Sequence, residues 1–167
     1  MPVLQRISVC LCLLWIATAS ASAAPTKPSA SGGGGATIYI IRSMPVLGWA
    51  TKPDIRFDGK FVGELGVGSY LVVNAPRGQH KLEVQGGGLV GPYESQLQVE
   101  PGKSYFIEVG PRPNNGAPGT QLMTRFFANT MSGQELPGRG FFGNYVFYLL
   151  GAEDGRAKIA TLKKIAR

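Results

Sequence analysis

Between residues 54 and 109 the chain meets a turn-forming group after each short apolar run. Asp58-Gly59, Gly66-Val67-Gly68, Pro76-Arg77-Gly78 and Pro101-Gly102 punctuate the segment. The runs are DIRF, KFVGEL, SYLVVNA, QHKLEVQ, ESQLQVE and KSYFIEV. None is as long as a helix read from periodicity, which needs about 10–12 residues. Turn signals spaced about 8–12 residues apart predict short antiparallel strands in a sandwich or barrel. Asp58-Gly59 is the strongest hairpin signal. Both residues tolerate positive φ, and the two-residue turn they form matches the twist of its strands.

Alternation assigns the faces. His80, Leu82 and Val84 share one side of their run; Lys81, Glu83 and Gln85 share the other. Leu97 and Val99 alternate with Gln96, Gln98 and Glu100. Such strands are half buried. ATIYIIR, residues 36–42, differs: Ile38 and Ile40 point one way, Tyr39 and Ile41 the other. With both faces apolar, it reads as a central strand. FFGNYVFYLLG, residues 141–151, also reads as a strand buried on both faces. QLMTRFFANTM, residues 121–131, fits a short helix and a strand equally. PRPNNGAPG and GQELPGRG read as loops, so the region around 110–140 reads as an irregular insertion.

AEDGRAKIATLKKIA, residues 152–166, predicts a short C-terminal helix. Glu153 and Asp154 lie near its start and Lys163 and Lys164 near its end, complementing the helix dipole. Gly155 weakens it. The expected fold class is all-β: one antiparallel sandwich of about seven to eight strands, transthyretin- or immunoglobulin-like, over residues 36–167. The 24 Gly and 12 Pro among 167 residues suit a fold with many corners.

The first residues read as lying outside that fold. After Arg6, an unbroken apolar run extends from Ile7 to Ala19, shorter than the about 20 residues of a membrane-spanning helix. Ala21-Ser22-Ala23 supplies the small residues that a signal peptidase reads. Residues 1–23 are therefore expected to be a cleaved signal peptide, and 24–35, rich in Pro, Ser and Gly, a linker. Cys10 and Cys12 both lie in the signal. A mature chain without cysteine excludes a disulfide scaffold, a cysteine nucleophile, a thiolate metal site and the lipid-bearing cysteine of a lipoprotein. The expected location is periplasmic or secreted.

The formal charge of +7 is unevenly placed. Residues 36–109 hold seven Lys/Arg and seven Asp/Glu, whereas residues 110–167 hold eight basic residues and three acidic ones, Glu135, Glu153 and Asp154. In an exported protein, a basic region favours anionic lipid headgroups, glycans or envelope proteins as partners. Nucleic acid fits poorly. The plainer alternative is a solvated surface that keeps the chain soluble.

The order of these motifs resembles a bacterial exported family, the domain-of-unknown-function 2846 family. The matching residues are Tyr39, Arg42, Asp58, Gly59, Gly63, Leu65, Gly68, Tyr70, Gly78, His80, Leu82, Gly102, Lys103, Tyr105 and Gly155. The resemblance covers roughly residues 36–165. It implies an envelope β-sandwich similar to transthyretin-like and PEGA-like modules, and it carries over no catalytic residue. Many members look like lipoproteins, and this chain departs from them in lacking the cysteine. Its insertion at 110–140 is also longer than the resemblance implies.

Few residues point to chemistry. GGGLVG, residues 86–91, satisfies G-x-G-x-x-G but lies between two antiparallel strands, where a dinucleotide site needs a strand and a helix. His80 is the sole histidine. With no other His or Cys to join it, it is expected to be structural, its ring bonding a loop carbonyl. Ser69 and Ser104 lack a nucleophile-elbow context, and Asp58 is accounted for by its turn. No catalytic residue, metal or cofactor is expected.

Candidate partner-binding residues are Trp49 and Leu47, in an apolar loop at 44–53, and Arg156, Lys163, Lys164 and Arg167 in the basic C-terminal third. Ile159, Leu162 and Ile165 form an apolar stripe suited to docking on the sandwich or, alternatively, to a membrane surface. The function expected is a non-catalytic binding or structural module of the bacterial envelope. The alternatives are an envelope hydrolase or isomerase using His80 or carboxylates, and a secreted effector.

Overall fold

A computed structural model describes residues 35–43, 52–86, 91–112, 131–140 and 145–166. The expected signal peptide, most of the linker, Leu47, Trp49, residues 121–130 and Arg167 lie outside the described residues. So does most of GGGLVG.

Two sheets pack face to face, with strands numbered in chain order. The first holds β1 (Ala36–Arg42), β4 (Ser69–Ala75), β7 (Ser104–Pro111), β8 (Gln134–Glu135), β10 (Tyr145–Leu150) and β11 (Lys163–Lys164), in the order β11-β4-β1-β7-β10-β8. The second holds β2 (Asp54–Phe57), β3 (Lys60–Glu64), β5 (Gly78–Gln85), β6 (Tyr93–Val99) and β9 (Gly138–Arg139), in the order β3-β2-β5-β6-β9. The fold is thus the all-β sandwich that the sequence predicts. Its turns fall where Gly and Asp place them: Asp58 and Gly59 take φ of 50° and 74° between β2 and β3.

Not every pairing is antiparallel. β1 runs parallel to β7, with Ile38 opposite Tyr105, and β11 runs parallel to β4. The chain visits the second sheet between β1 and β7, so the two strands share a sheet without a hairpin between them. The loop expected at GQELPGRG holds two short strands. These are β8 and β9, which pass from one sheet to the other through Leu136 and Pro137. Tyr93 Oη donates to Leu136 O at 2.8 Å, and Ser95 Oγ to Pro137 O at 2.8 Å. This strap closes one side of the sandwich.

Ile38, Ile40, Leu71, Val73, Ile107 and Val109 meet Ile55, Phe57, Leu82, Val84, Leu97 and Val99 between the sheets. Each such side chain contributes about 1.5–3 kcal/mol on burial. The outer face of the first sheet is covered by α1 (Ala152–Thr161). There Ile41, Phe106 and Leu150 pack with Tyr39, Tyr70, Ile159 and Leu162. This second layer explains why β1 is apolar on both faces. Ile159 and Leu162 dock on the sheet, and Ile165 packs against the main core. Gly155 is the one buried residue of α1 and lies against Phe106.

The helix is shorter than the sequence predicts. It stops at Thr161, and Leu162 turns extended at φ −107° and ψ 157°. Lys163 and Lys164 are therefore not helix-end residues but form β11 beside Ser69 and Tyr70. The reason lies in the acceptors offered by the sheet: Lys163 N donates to Gly68 O at 3.0 Å and Ile165 N to Tyr70 O at 3.0 Å. No helix among the described residues is long and apolar enough to cross a membrane.

Candidate functional site

His80 begins β5's inner face and is buried. Its ring stacks on Phe57 with centroids 5.0 Å apart. Nε2 donates to the Pro76 carbonyl at 2.9 Å, while Nδ1 lies 2.7 Å from Asp58 Oδ2. Both ring nitrogens are thus engaged by oxygen atoms. Asp58 Oδ1 also accepts from Lys81 N at 2.9 Å. The pair thus ties the β2–β3 turn to the turn before β5. An acid–histidine pair is half of a nucleophile-activating arrangement. Here, however, the nitrogen that would face a substrate holds a backbone carbonyl.

Asp58→Gly keeps the turn and deletes the carboxylate; it is expected to cost about 1–3 kcal/mol. Adding His80→Ala is expected to cost little more than the worse single change, because both remove one network. Urea denaturation of the three variants measures this, and simple additivity would mean that the two side chains act separately.

Two buried charges went unread in the sequence. Arg42 is fully buried at the end of β1. Nη1 donates to Leu65 O at 3.0 Å and Nη2 to Tyr145 Oη at 3.3 Å. Burial lowers the Arg42 pKa, and Tyr145 opposes that shift. Glu108 is fully buried beneath α1, bonded to Lys158 Nζ at 2.6 Å and to Ser43 Oγ. Burial also raises the phenols of Tyr93 and Tyr148, keeping both neutral. These groups are enclosed and present nothing to a ligand. No cluster of three or more His, Cys, Asp or Glu is placed to hold a metal among the described residues.

Among the described residues, two concavities open to the surface. One, of about 430 Å³, is lined by Lys81, Glu94, Ser95, Gln96 and Pro137–Arg139. Its charges neutralise each other: Lys81 lies 2.6 Å from Glu83 and 3.5 Å from Glu94, and Arg139 lies 3.4 Å from Glu94. Glu83 raises the pKa of the exposed Lys81 by hydrogen bonding.

The other is a cleft of about 850 Å³ on the side away from the strap, between β3 and β11. Lys52, Lys163 and Lys164 line it, with Glu64 as the one acidic residue of its lining among the described residues. No ion pair engages these lysines among the described residues. Phe61 and Val67 also line it and are the large apolar side chains left exposed among the described residues, at 56% and 42%.

The cleft brings together Lys163 and Lys164 from the sequence-predicted set. Arg156 is exposed on α1 and does not line it. The sequence carries a signal for Phe61, absent from the predicted set. A two-residue turn at Asp58-Gly59 pairs Phe61 with Arg56, an outward-facing position. Comparison with protein-family models, with curated proteins and with solved structures matches the chain to none of them.

Proposed function

We propose that this chain is an exported, non-catalytic binding module of the bacterial envelope that holds an envelope component or protein partner in the cleft between β3 and β11. The observation that carries this reading is the company of three lysines without ion-pair partners among the described residues and two exposed apolar side chains, Phe61 and Val67, in one concavity. Charge of one sign beside apolar surface suits a partner better than it suits water. The residues behind the family resemblance support a scaffold role. Asp58 and His80 bond each other, Arg42 holds the Leu65 carbonyl, and Tyr105 Oη accepts from Glu100 N.

The test is fractionation of cells producing the tagged full-length protein. The protein is expected in the membrane pellet and released by a high-salt wash. Lys163→Glu/Lys164→Glu is expected to move it into osmotic-shock fluid without added salt. Parent protein wholly in that fluid would count against charge-held attachment. The hydrolase or isomerase reading draws on the Asp58–His80 pair. It predicts that His80→Ala keeps the fold and abolishes the cellular phenotype, whereas the binding reading predicts lost stability alone.

A further inference from the structure

We infer that the occupant of the cleft is an extended acidic segment of another protein, added as a strand along β3. This rests on the binding-module reading and names its partner class. β3 is the outer strand of its sheet, hydrogen-bonded only to β2 among the described residues. Its other edge therefore carries backbone N–H and C=O groups without strand partners among the described residues. Folded proteins guard such edges with proline, charged side chains, bulges or a covering element; β3 has Lys60 and Glu64 at its two ends and a register shift opposite Ile55 and Arg56. The middle of β3 is Phe61-Val62-Gly63, with no charge and with Phe61 exposed. β11 lines the opposite wall and is itself the outer strand of the first sheet. Two strand edges thus border one cleft. A row of backbone donors and acceptors is matched by another peptide backbone, not by a lipid headgroup or a sugar.

Charge selects among peptides. Lys52, Lys163 and Lys164 outnumber Glu64 in the lining, so acidic residues are favoured. A second copy of the chain would bring the same lysines, so like charge opposes self-pairing. Side chains of an extended peptide alternate between its two sides. Glutamates on one side then meet the lysines, and apolar residues on the other meet Phe61 and Val67.

The probe is a fluorescein-labelled peptide of alternating glutamate and valine, read by anisotropy against the full chain. Saturable binding is expected, weakened about tenfold or more by Lys163→Glu/Lys164→Glu or by Phe61→Ala. These residues are exposed, and thermal melts confirm that each variant folds. The same peptide N-methylated at alternate backbone amides is expected not to bind. Equal binding of the methylated peptide, or no binding of either, overturns the inference. Vesicles of phosphatidylglycerol that bind where the peptide does not would assign the cleft to a lipid surface; the binding-module reading would survive and this inference would fall. A dimer in sedimentation equilibrium, abolished by Phe61→Ala, with no peptide binding, would make the occupant a second copy and overturn it too.

Discussion

Gly155→Ala melts below the parent chain by on the order of 10 °C. In an ordinary helix interior the same change stabilises by up to about 1 kcal/mol, because alanine leaves the unfolded chain less freedom to lose. Here the sign inverts. A Cβ on residue 155 would lie 2.6 Å from Phe106 Cδ1 and closer still to Cγ and Cβ. Phe106 has little room to yield. It is buried and stacks on Tyr39 with centroids 4.9 Å apart and planes 8° from parallel. The new methyl must lift α1 from the sheet or push that stack aside. Overpacking of this kind costs about 1–3 kcal/mol, sometimes more, and it exceeds the helix gain. Calorimetry of Gly155→Ala in parent and Phe106→Leu backgrounds checks the mechanism. The smaller partner is expected to restore part of the loss as a coupling between the sites. An unchanged or raised melting temperature would mean that the helix stands clear of Phe106.

Lys158→Met costs about 3–5 kcal/mol, far more than a surface ion pair returns. Glu108 is fully buried, and its Oε2 lies 2.6 Å from Lys158 Nζ. Deleting the ammonium leaves a carboxylate under α1 with the Ser43 hydroxyl but no counter-charge. The change keeps most of the lysine stem, so packing loss is small. Glu108→Gln in the same chain is expected to recover most of the stability, since the amide keeps an acceptor for Ser43 and removes the stranded charge. Guanidinium denaturation of the two singles and the double measures the coupling. A Lys158→Met cost below about 1 kcal/mol would mean that water reaches Glu108 and does the work of the lysine.

The sandwich was readable because each turn has its own chemistry. Asp58-Gly59 accepts positive φ, and the apolar alternation around it sorts inside from outside. The apolar second face of ATIYIIR was likewise a true sign of another layer, filled by α1. Pairings between distant residues were not readable. Parity places Arg42 in the series of Ile38 and Ile40, and Glu108 in that of Phe106, so both fall on buried faces. Their partners Leu65, Tyr145 and Lys158 come from other elements, and no local pattern marks them. Gly155 looked like a weakness because propensity counts only the helix, whereas the contact lies across to the sheet. Helix periodicity places Lys163 and Lys164 at the end of a helix. They reach the cleft as a strand too short for periodicity to register, held by the carbonyls of Gly68 and Tyr70. Phe61 was within reach of hairpin pairing, but Lys52 was not, since no regular element there sets its direction.

The parallel seat of β1 beside β7 has a consequence for the order of assembly. Hairpins β2–β3 and β5–β6 join neighbours in the sequence and close in microseconds when such units form alone. β1 has no neighbour of that kind. Ala36 pairs with Ala75, and Thr37 with Ser104. Each pairing closes a long loop before any contact rewards it, which is the feature that slows folding most among small domains. Synthesis delivers β1 first, yet its second neighbour does not exist until the ribosome has passed Pro111. Through that interval Ile38, Ile40 and Ile41 belong to a strand with no finished sheet to enter, and the earliest segment of the domain is the one that waits longest for its place.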